Sequence, residues 1–203
     1  MSTTTTTTAL RFDPAEHRYW LGERELPSVT RIIAPLVSFD GIPESVLTFA
    51  AERGRAVHRA TELWDDDDLD IESLDPALLG YLTAWQRFRR ETGAVILQSE
   101  RPRGSAALGF AGTPDRVAQL PTLGDRVWLL DIKTALTLHD WMGVQLAGYK
   151  LLVEGAGGTT VDAVGVVQLR ANGTYVLMEY GAPDDARCFL GLLAVHHWRS
   201  KHV

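Results

Sequence analysis

The sequence has few of the features that would place it in a membrane or outside the cell. It contains one cysteine, Cys188, which can form neither an internal disulfide nor a four-cysteine metal cluster. No stretch has the run of apolar residues that a membrane helix needs. The N-terminus also lacks the basic and apolar regions of a signal peptide. We therefore expect a cytoplasmic protein without a membrane partner.

The sequence also lacks a net positive charge. Its 203 residues carry a formal net charge of −6 at pH 7. A protein that binds nucleic acid normally gains affinity by neutralising phosphates, so the total argues against such a partner. Five of the 26 acidic residues lie between positions 65 and 70, however, in what we expect to be a solvated loop. The arginines form separate groups: Arg53, Arg55 and Arg59; Arg87, Arg89 and Arg90; and Arg101 and Arg103. Charge therefore permits a nucleic-acid partner without identifying one.

The spacing of apolar residues predicts one α/β domain. Residues 1–10 include a threonine-rich run that cannot bury apolar surface, so we expect a disordered tail there. Residues 11–203 contain no linker-like stretch, and we expect them to form a single domain. The predicted order is a β-hairpin and helices, three strands, a helix, two strands and a final helix. This order predicts a sheet of about five strands with helices against it.

The predicted elements fall into two classes by the period of their apolar residues. Helices are expected at residues 44–64, 76–92, 138–154 and about 183–198. Strands are expected at residues 94–101, 109–120, 126–133, 161–170 and 175–180. Gly93 is expected to end the second helix, and Asn172-Gly173 to form the turn between the last two strands.

Two short acidic motifs are the most informative feature of the chain. Pro114-Asp115 precedes a mostly apolar run, and Asp131-Ile132-Lys133 ends the following predicted strand. Side chains alternate along a strand, so Asp131 and Lys133 leave the same face. Carboxylate oxygens are the ligands that Mg²⁺ or Mn²⁺ prefers, and such ions can activate water while bracing a scissile phosphate. The lysine would add positive charge where negative charge develops, so the pattern predicts a metal-dependent nuclease.

Together with flanking residues, these motifs resemble the PD-(D/E)xK nuclease superfamily, and more narrowly its RecB-type and phage lambda-exonuclease-type branch. The further elements that carry the resemblance are Gly54-x-x-x-His58 on a helix, Glu100 ahead of the Pro-Asp strand, and Gln145 with Tyr149 on a later helix. They occur in the family's order across roughly residues 53–152. The resemblance implies a restriction-endonuclease-like core, in which a central mixed sheet of about five strands is flanked by helices.

The resemblance also implies a set of metal ligands. Asp115 and Asp131 would be the central ligands, and Glu100 and His58 would complete a shell for two Mg²⁺ or Mn²⁺ ions. The backbone carbonyl of Ile132 commonly joins this shell in the family. Many members have glutamate where this chain has Asp131, and the shorter aspartate leaves the geometry of the second ion open.

Other matched residues would act on water or on DNA. Lys133 would orient or polarise the attacking water. Gln145 and Tyr149 are one helical turn apart and would support the site or hold a DNA phosphate. Arg53 and Arg55 would contact the DNA backbone near the cut.

Each matched residue also has a purely structural interpretation. His58 could be an ordinary helix histidine, and Glu100 could pair at the rim with a neighbouring arginine. Asp131 and Lys133 could form a surface salt bridge, which contributes little to stability. Against this last interpretation, the apolar residues between 127 and 132 make the strand look buried, where a charge needs a partner.

The leading hypothesis is a metal-dependent DNA exonuclease that acts in phage, prophage or bacterial recombination, repair or processing. The alternatives are a structure-specific endonuclease and a catalytically inactive member that binds DNA or a protein. The expected partner is double- or single-stranded DNA, and a recombinase or single-strand annealing protein is a further candidate. A phage-encoded protein would work in the host cytoplasm. The oligomeric state stays open.

Overall fold

The computed structural model describes residues 9–155 and 159–202. Residues 1–8 of the predicted threonine-rich tail lie outside these ranges. Leu10, the last residue of the predicted tail, begins the first strand. Among the described residues, no helix has both the length and the apolar character required to cross a membrane.

Ten strands and five α-helices make up the described part of the chain. The strands are β1 (Leu10–Asp13), β2 (Arg18–Leu21), β3 (Arg24–Leu26), β4 (Val95–Ser99), β5 (Arg103–Ser105), β6 (Phe110–Gly112), β7 (Arg116–Leu120), β8 (Arg126–Lys133), β9 (Ala163–Leu169) and β10 (Tyr175–Tyr180). The helices are α1 (Val29–Ile33), α2 (Glu44–Asp65), α3 (Leu79–Thr92), α4 (Trp141–Gly155) and α5 (Asp185–His202).

The central sheet has five strands in the order β10-β9-β8-β7-β4. Only β8 and β9 run parallel, and the other neighbours are antiparallel. The parallel pair needs a crossover, which α4 provides. The structure therefore confirms the predicted α/β class and the mixed sheet of about five strands.

Two smaller sheets flank the central one and differ from the predicted strands. The N-terminal hairpin gains a third strand, because Gly22 adopts a φ of 62° in a tight turn between β2 and β3. The prediction of a single strand at residues 109–120 was wrong, because the strand breaks after Gly112. β6 pairs with the unpredicted β5, whereas β7 enters the central sheet. Pro114, which lacks a backbone N–H, lies within this break.

The sheet separates two apolar layers. On one face, α1, α4 and α5 pack over side chains such as Leu129 and Val166. On the other face, Trp85 and Phe88 of α3 pack against Trp128 and other strand residues. Alternation along β8 distributes its side chains between the two layers, which directs Asp131 away from the face that Trp128 occupies.

Several helix ends differ from the prediction. The helix predicted from residue 76 begins at Leu79, because Pro76–Leu78 form a 3₁₀ turn. Gly93 ends this helix with a φ of 67°, as predicted. The acidic run is not entirely a solvated loop: Asp65 is the last residue of α2, and its side chain is only 2% exposed.

Close packing of α3 on the β9–β10 turn predicts the effect of a methyl group at Gly80. A Cβ atom there would lie 1.7 Å from the carbonyl oxygen of Ala171, so the backbone must move. We expect Gly80→Ala to lower the free energy of unfolding by about 1–3 kcal/mol in urea denaturation.

The matched control is Gly191→Ala in α5, where nothing lies within 4 Å of the added methyl. This change should raise the free energy of unfolding by roughly 0.5–1 kcal/mol through helix propensity. Equal effects of the two substitutions would contradict the packing described here.

Candidate metal centre

A cavity of about 500 Å³ opens between α2, α4 and the strands that carry the two acidic motifs. Most of the predicted site residues line it: Arg55, His58, Glu100, Asp115, Asp131, Lys133, Gln145 and Tyr149. Residues 115, 131 and 133 therefore share one pocket, although they come from separate segments. Their chemical roles remain predictions.

Strand pairing fixes the two acidic motifs relative to each other. β7 and β8 are antiparallel neighbours, with Arg116 opposite Leu130. Just before β7, Asp115 accepts a hydrogen bond of 2.7 Å from the N–H of Ile132 to its Oδ2. On β8, Lys133 Nζ lies 2.5 Å from Asp131 Oδ2, as the alternation of side chains predicts. The ammonium and the carboxylates consequently face the same space.

Three side chains from three segments are placed so that one ion could contact all of them. The candidate ligand atoms of His58, Glu100 and Asp115 lie within 4.8 Å of one another. His58 Nδ1 is 3.3 Å from Glu100 Oε1 and 3.6 Å from Asp115 Oδ2. The mixture of one imidazole and carboxylate oxygens suits a divalent cation.

The backbone of β8 orients the imidazole in this group. His58 Nε2 lies 2.9 Å from the carbonyl oxygen of Ile132, so an Nε2–H donates to it. In the neutral ring this tautomer leaves the lone pair of Nδ1 facing Glu100 and Asp115, where a metal could accept it. The Ile132 carbonyl, predicted as a metal ligand, is thus already engaged by His58, although an oxygen with two lone pairs can still accept a second partner.

The donor set itself shows whether the residues fit a cation. The carboxylate of Asp131 is almost fully buried, and its Oδ2 lies 2.5 Å from the ammonium of Lys133, which only partly offsets the cost of burial. Three carboxylates and an imidazole line the same cavity, and such oxygen and nitrogen donors are what a divalent cation binds. The residues present therefore fit a divalent ion in this cavity.

Burial and mutual repulsion shift the protonation of the acidic groups. Burial raises the pKa of Asp131 to about 6, because the charge of Asp115 adds to the effect while Lys133 only partly opposes it. Burial also raises the pKa of Asp115, although His58 acts in the opposite direction. In the absence of a cation, both carboxyl groups therefore hold protons more tightly than usual.

The basic groups respond to the same carboxylates. Burial lowers the pKa of His58, but the charges of Asp115 and Glu100 outweigh this effect and raise it to about 9. Burial likewise lowers the pKa of Lys133, and the neighbouring carboxylates again raise it above its ordinary value. The ammonium of Lys133 is therefore charged at neutral pH.

The α4 residues form the inner wall of the cavity. Gln145 and Tyr149 are both buried, and Gln145 Nε2 donates to the Tyr149 hydroxyl at 3.4 Å. A glycine permits the ring of Tyr149 to approach: a Cβ atom at Gly112 would lie 2.8 Å from its Cε1 atom. Both residues thus line the cavity, while support of the site and contact with a DNA phosphate stay predictions.

The two arginines predicted to contact DNA differ in position. Arg55 is exposed and lines the cavity. Arg53 does not line it: its Nη2 donates to the carbonyl of Thr134 at 3.4 Å, and its guanidinium lies over Phe49 and Tyr81. The structure therefore offers Arg55 to a ligand more directly than Arg53.

Some residues at the site were not anticipated from the sequence. Arg116 and Asp65 form a buried ion pair directly behind Glu100. Phe12 of β1 and His17 of the following turn also line the cavity. A charged residue within the apolar run of β7 was the available signal for Arg116, because a buried charge requires a partner.

Comparisons with known proteins add little to this description. No protein-family model matches the sequence, and no curated protein matches it. An alkaline exonuclease from Laribacter hongkongensis, LHK-Exo, is 16% identical over 86% of this chain and 90% of its own, with a TM-score of 0.39. The structure of LHK-Exo in complex with dAMP is 15% identical over 87% of this chain and 91% of its own, with a TM-score of 0.36. A protein designated SSO0001 is 16% identical over 82% of this chain and 81% of its own, with a TM-score of 0.35. At such values a likeness carries no evidence of shared activity, so conclusions about function depend on the site itself.

The shifted pKa values predict how pH changes the stability of the metal-free protein. Asp131 and His58 both have folded pKa values above their ordinary ones. Their contribution to stability is thus complete at low pH and is lost as pH rises, through about 6 for Asp131 and through about 9 for His58. A bound cation favours the deprotonated ligands, so the increase in Tm that Mg²⁺ causes should be larger at about pH 8.5 than at about pH 5.5.

Thermal unfolding with saturating Mg²⁺ and with a chelator measures this increment. His58→Gln and Asp131→Asn remove the titrating groups and should reduce both the increment and its dependence on pH. An increment in the wild type that is the same at both pH values would contradict the assignment of these groups to a metal site.

Proposed function

We propose that this chain is a divalent-metal-dependent nuclease that hydrolyses phosphodiester bonds in DNA. The observation that carries the proposal is one cavity in which three carboxylates, an imidazole and a half-buried ammonium converge. We further take residues 11–203 as a single nuclease domain, because the cavity draws on elements from the N-terminal sheet to α4.

Asp115 and Asp131 would be the central ligands, and His58, Glu100 and the carbonyl of Ile132 would complete the shell for two Mg²⁺ or Mn²⁺ ions. When bound, such ions lower the pKa of water and neutralise charge on a phosphate. The backbone N–H of Ile132 holds one oxygen of Asp115 in place, which orients that carboxylate before a ligand arrives. These contacts preorganise the donors, which is what a hydrolytic site requires.

Lys133 would act on the phosphate and on the attacking water. Its ammonium stays protonated because Asp131 and Asp115 stabilise the charge. A fixed positive charge beside the scissile bond stabilises the negative charge that develops on the phosphate oxygens. The pairing with Asp131 also restricts the lysine to one direction, so the ammonium is in place before DNA binds.

DNA is the substrate that the resemblance implies, and Arg55 at the cavity rim could contact its phosphates. Within this function we favour an exonuclease, again on the resemblance to the RecB-type and lambda-type branch. A role in recombination or repair and a recombinase partner have the same basis. A catalytically inactive protein is disfavoured, because every residue of the motif is present and most of them share the cavity.

Cleavage of labelled DNA tests this function directly. The purified protein should degrade linear DNA in the presence of Mg²⁺ or Mn²⁺ and should leave covalently closed circular DNA intact. Asp131→Asn and Lys133→Met should lower the rate by roughly 10²- to 10³-fold, since each removes a charge that the reaction uses.

The matched controls are Asp66→Asn and Lys201→Met, because both residues are exposed and neither lines the cavity. They should cleave at the wild-type rate. Cleavage of circular DNA would point to an endonuclease instead. Full activity in both site variants would exclude this cavity as the catalytic centre.

A further inference from the structure

Arg116 is the least accessible charged residue near the proposed metal ligands. It follows Asp115 directly, and its side chain is fully buried. Along β7 the side chains alternate, so that Val117 belongs to the layer of α4 and α5, whereas Ala118 belongs to the layer of α3. Arg116 extends into this second layer, where its guanidinium lies 5.7 Å from the ring of Trp85. The charge is therefore located behind the cavity and does not line it.

One nitrogen of this guanidinium contacts two segments that carry proposed ligands. Nη1 donates to the backbone carbonyl of Asp115 at 2.8 Å and to Oε1 of Glu100 at 3.2 Å. The same Asp115 carbonyl accepts a hydrogen bond of 2.9 Å from the N–H of Glu100. Arg116 consequently connects the end of β4 to the start of β7 at the point where both face the cavity.

Glu100 needs such support because of its backbone. It has a φ of 42°, which is uncommon for a residue other than glycine. It also follows a strand whose register against β7 shifts between Ile96 and Gln98. The bond from the N–H of Glu100 to the carbonyl of Asp115 holds the backbone but leaves the side chain free to turn, so its direction depends on the groups that bind it. Those groups are Arg116 and His58.

The other side of the guanidinium is anchored to α2. Arg116 Nε donates to Oδ2 of Asp65 at 2.9 Å, and Nη2 donates to Thr61 Oγ1 at 3.2 Å. Asp65 is held in turn by Trp85 Nε1, at 3.0 Å, and by Arg89. All three nitrogens of the planar guanidinium therefore donate hydrogen bonds, Nε and Nη2 to α2 and Nη1 to Glu100 and Asp115. These bonds prevent the guanidinium from rotating away from Glu100.

We propose that Arg116, anchored by Asp65, is a positioning residue that holds Glu100 and Asp115 in the geometry that binds the divalent ion. This inference rests on the metal site of the proposed function. Arg116 does not itself touch the ion or the DNA. It acts through two ligand segments at once, which a buried ion pair that merely filled the core would not require.

Binding of Mn²⁺ alone, measured by calorimetry without DNA, tests this role. Arg116→Lys keeps the positive charge but removes the planar guanidinium with its several donors. Asp65→Asn keeps the size of the side chain but removes the negative charge that anchors Arg116. Both should bind Mn²⁺ roughly 10- to 100-fold more weakly than the wild type, as for other groups that orient metal ligands.

The matched control is Arg89→Lys, which also alters a partner of Asp65 but contacts neither Glu100 nor Asp115. It should leave Mn²⁺ affinity within about twofold even where it lowers the Tm.

A second measurement separates positioning from general destabilisation. In a Glu100→Gln background, Arg116→Lys should weaken Mn²⁺ binding by much less than it does alone, because part of its effect passes through Glu100. Unchanged Mn²⁺ affinity in a folded Arg116→Lys or Asp65→Asn variant would overturn the inference, and so would full additivity with Glu100→Gln. A wild type that binds Mn²⁺ but never cleaves DNA contradicts the proposed function and leaves this inference standing. A wild type that binds no Mn²⁺ contradicts both.

Discussion

The crowding of carboxylates in one cavity is the constraint on which the rest of the site depends. Asp115 lies close to both Glu100 and Asp131, so these carboxylates repel one another, and burial adds the cost of removing the charges of Asp115 and Asp131 from water. The protein meets this cost with the nearby cations of Lys133 and His58, and with Arg116 behind them. Lys133 only partly offsets the burial of Asp131, whose pKa stays raised, so a bound divalent ion would relieve the remaining repulsion.

The fold supplies this crowding through two features. Antiparallel pairing of β7 and β8 places the two acidic motifs next to each other, and the crossover through α4 closes the cavity with Gln145 and Tyr149. α2 then delivers His58 from outside the sheet, and the hydrogen bond from its Nε2 to the carbonyl of Ile132 fixes the ring. Each ligand group is therefore held by backbone contacts or by a second side chain, so the site is ordered before an ion arrives.

Local patterns predicted the parts of the site that depend on one element. The alternation of side chains was enough to place Asp131 beside Lys133, and helical spacing was enough to place Gln145 beside Tyr149. The family resemblance predicted that ligands from separate segments would meet, and they do share one cavity. Contacts outside the motifs, which depend on tertiary packing, were not predicted. Asp65 looked like one of several solvated acids, and only the packing of α2 against β7 shows that it pairs with Arg116. The roles of Arg53 and Arg55 could not be separated either, because their difference lies in contacts with distant residues.

Anomalous diffraction from crystals soaked in Mn²⁺ would test the central claim most directly, because it shows which side chains touch the ion. The account predicts an anomalous peak in the cavity, with His58, Glu100 and Asp115 within bonding distance and Asp131 turned toward the same position. Mn²⁺ bound only at the exposed acids near Asp67, with none in the cavity, would contradict it.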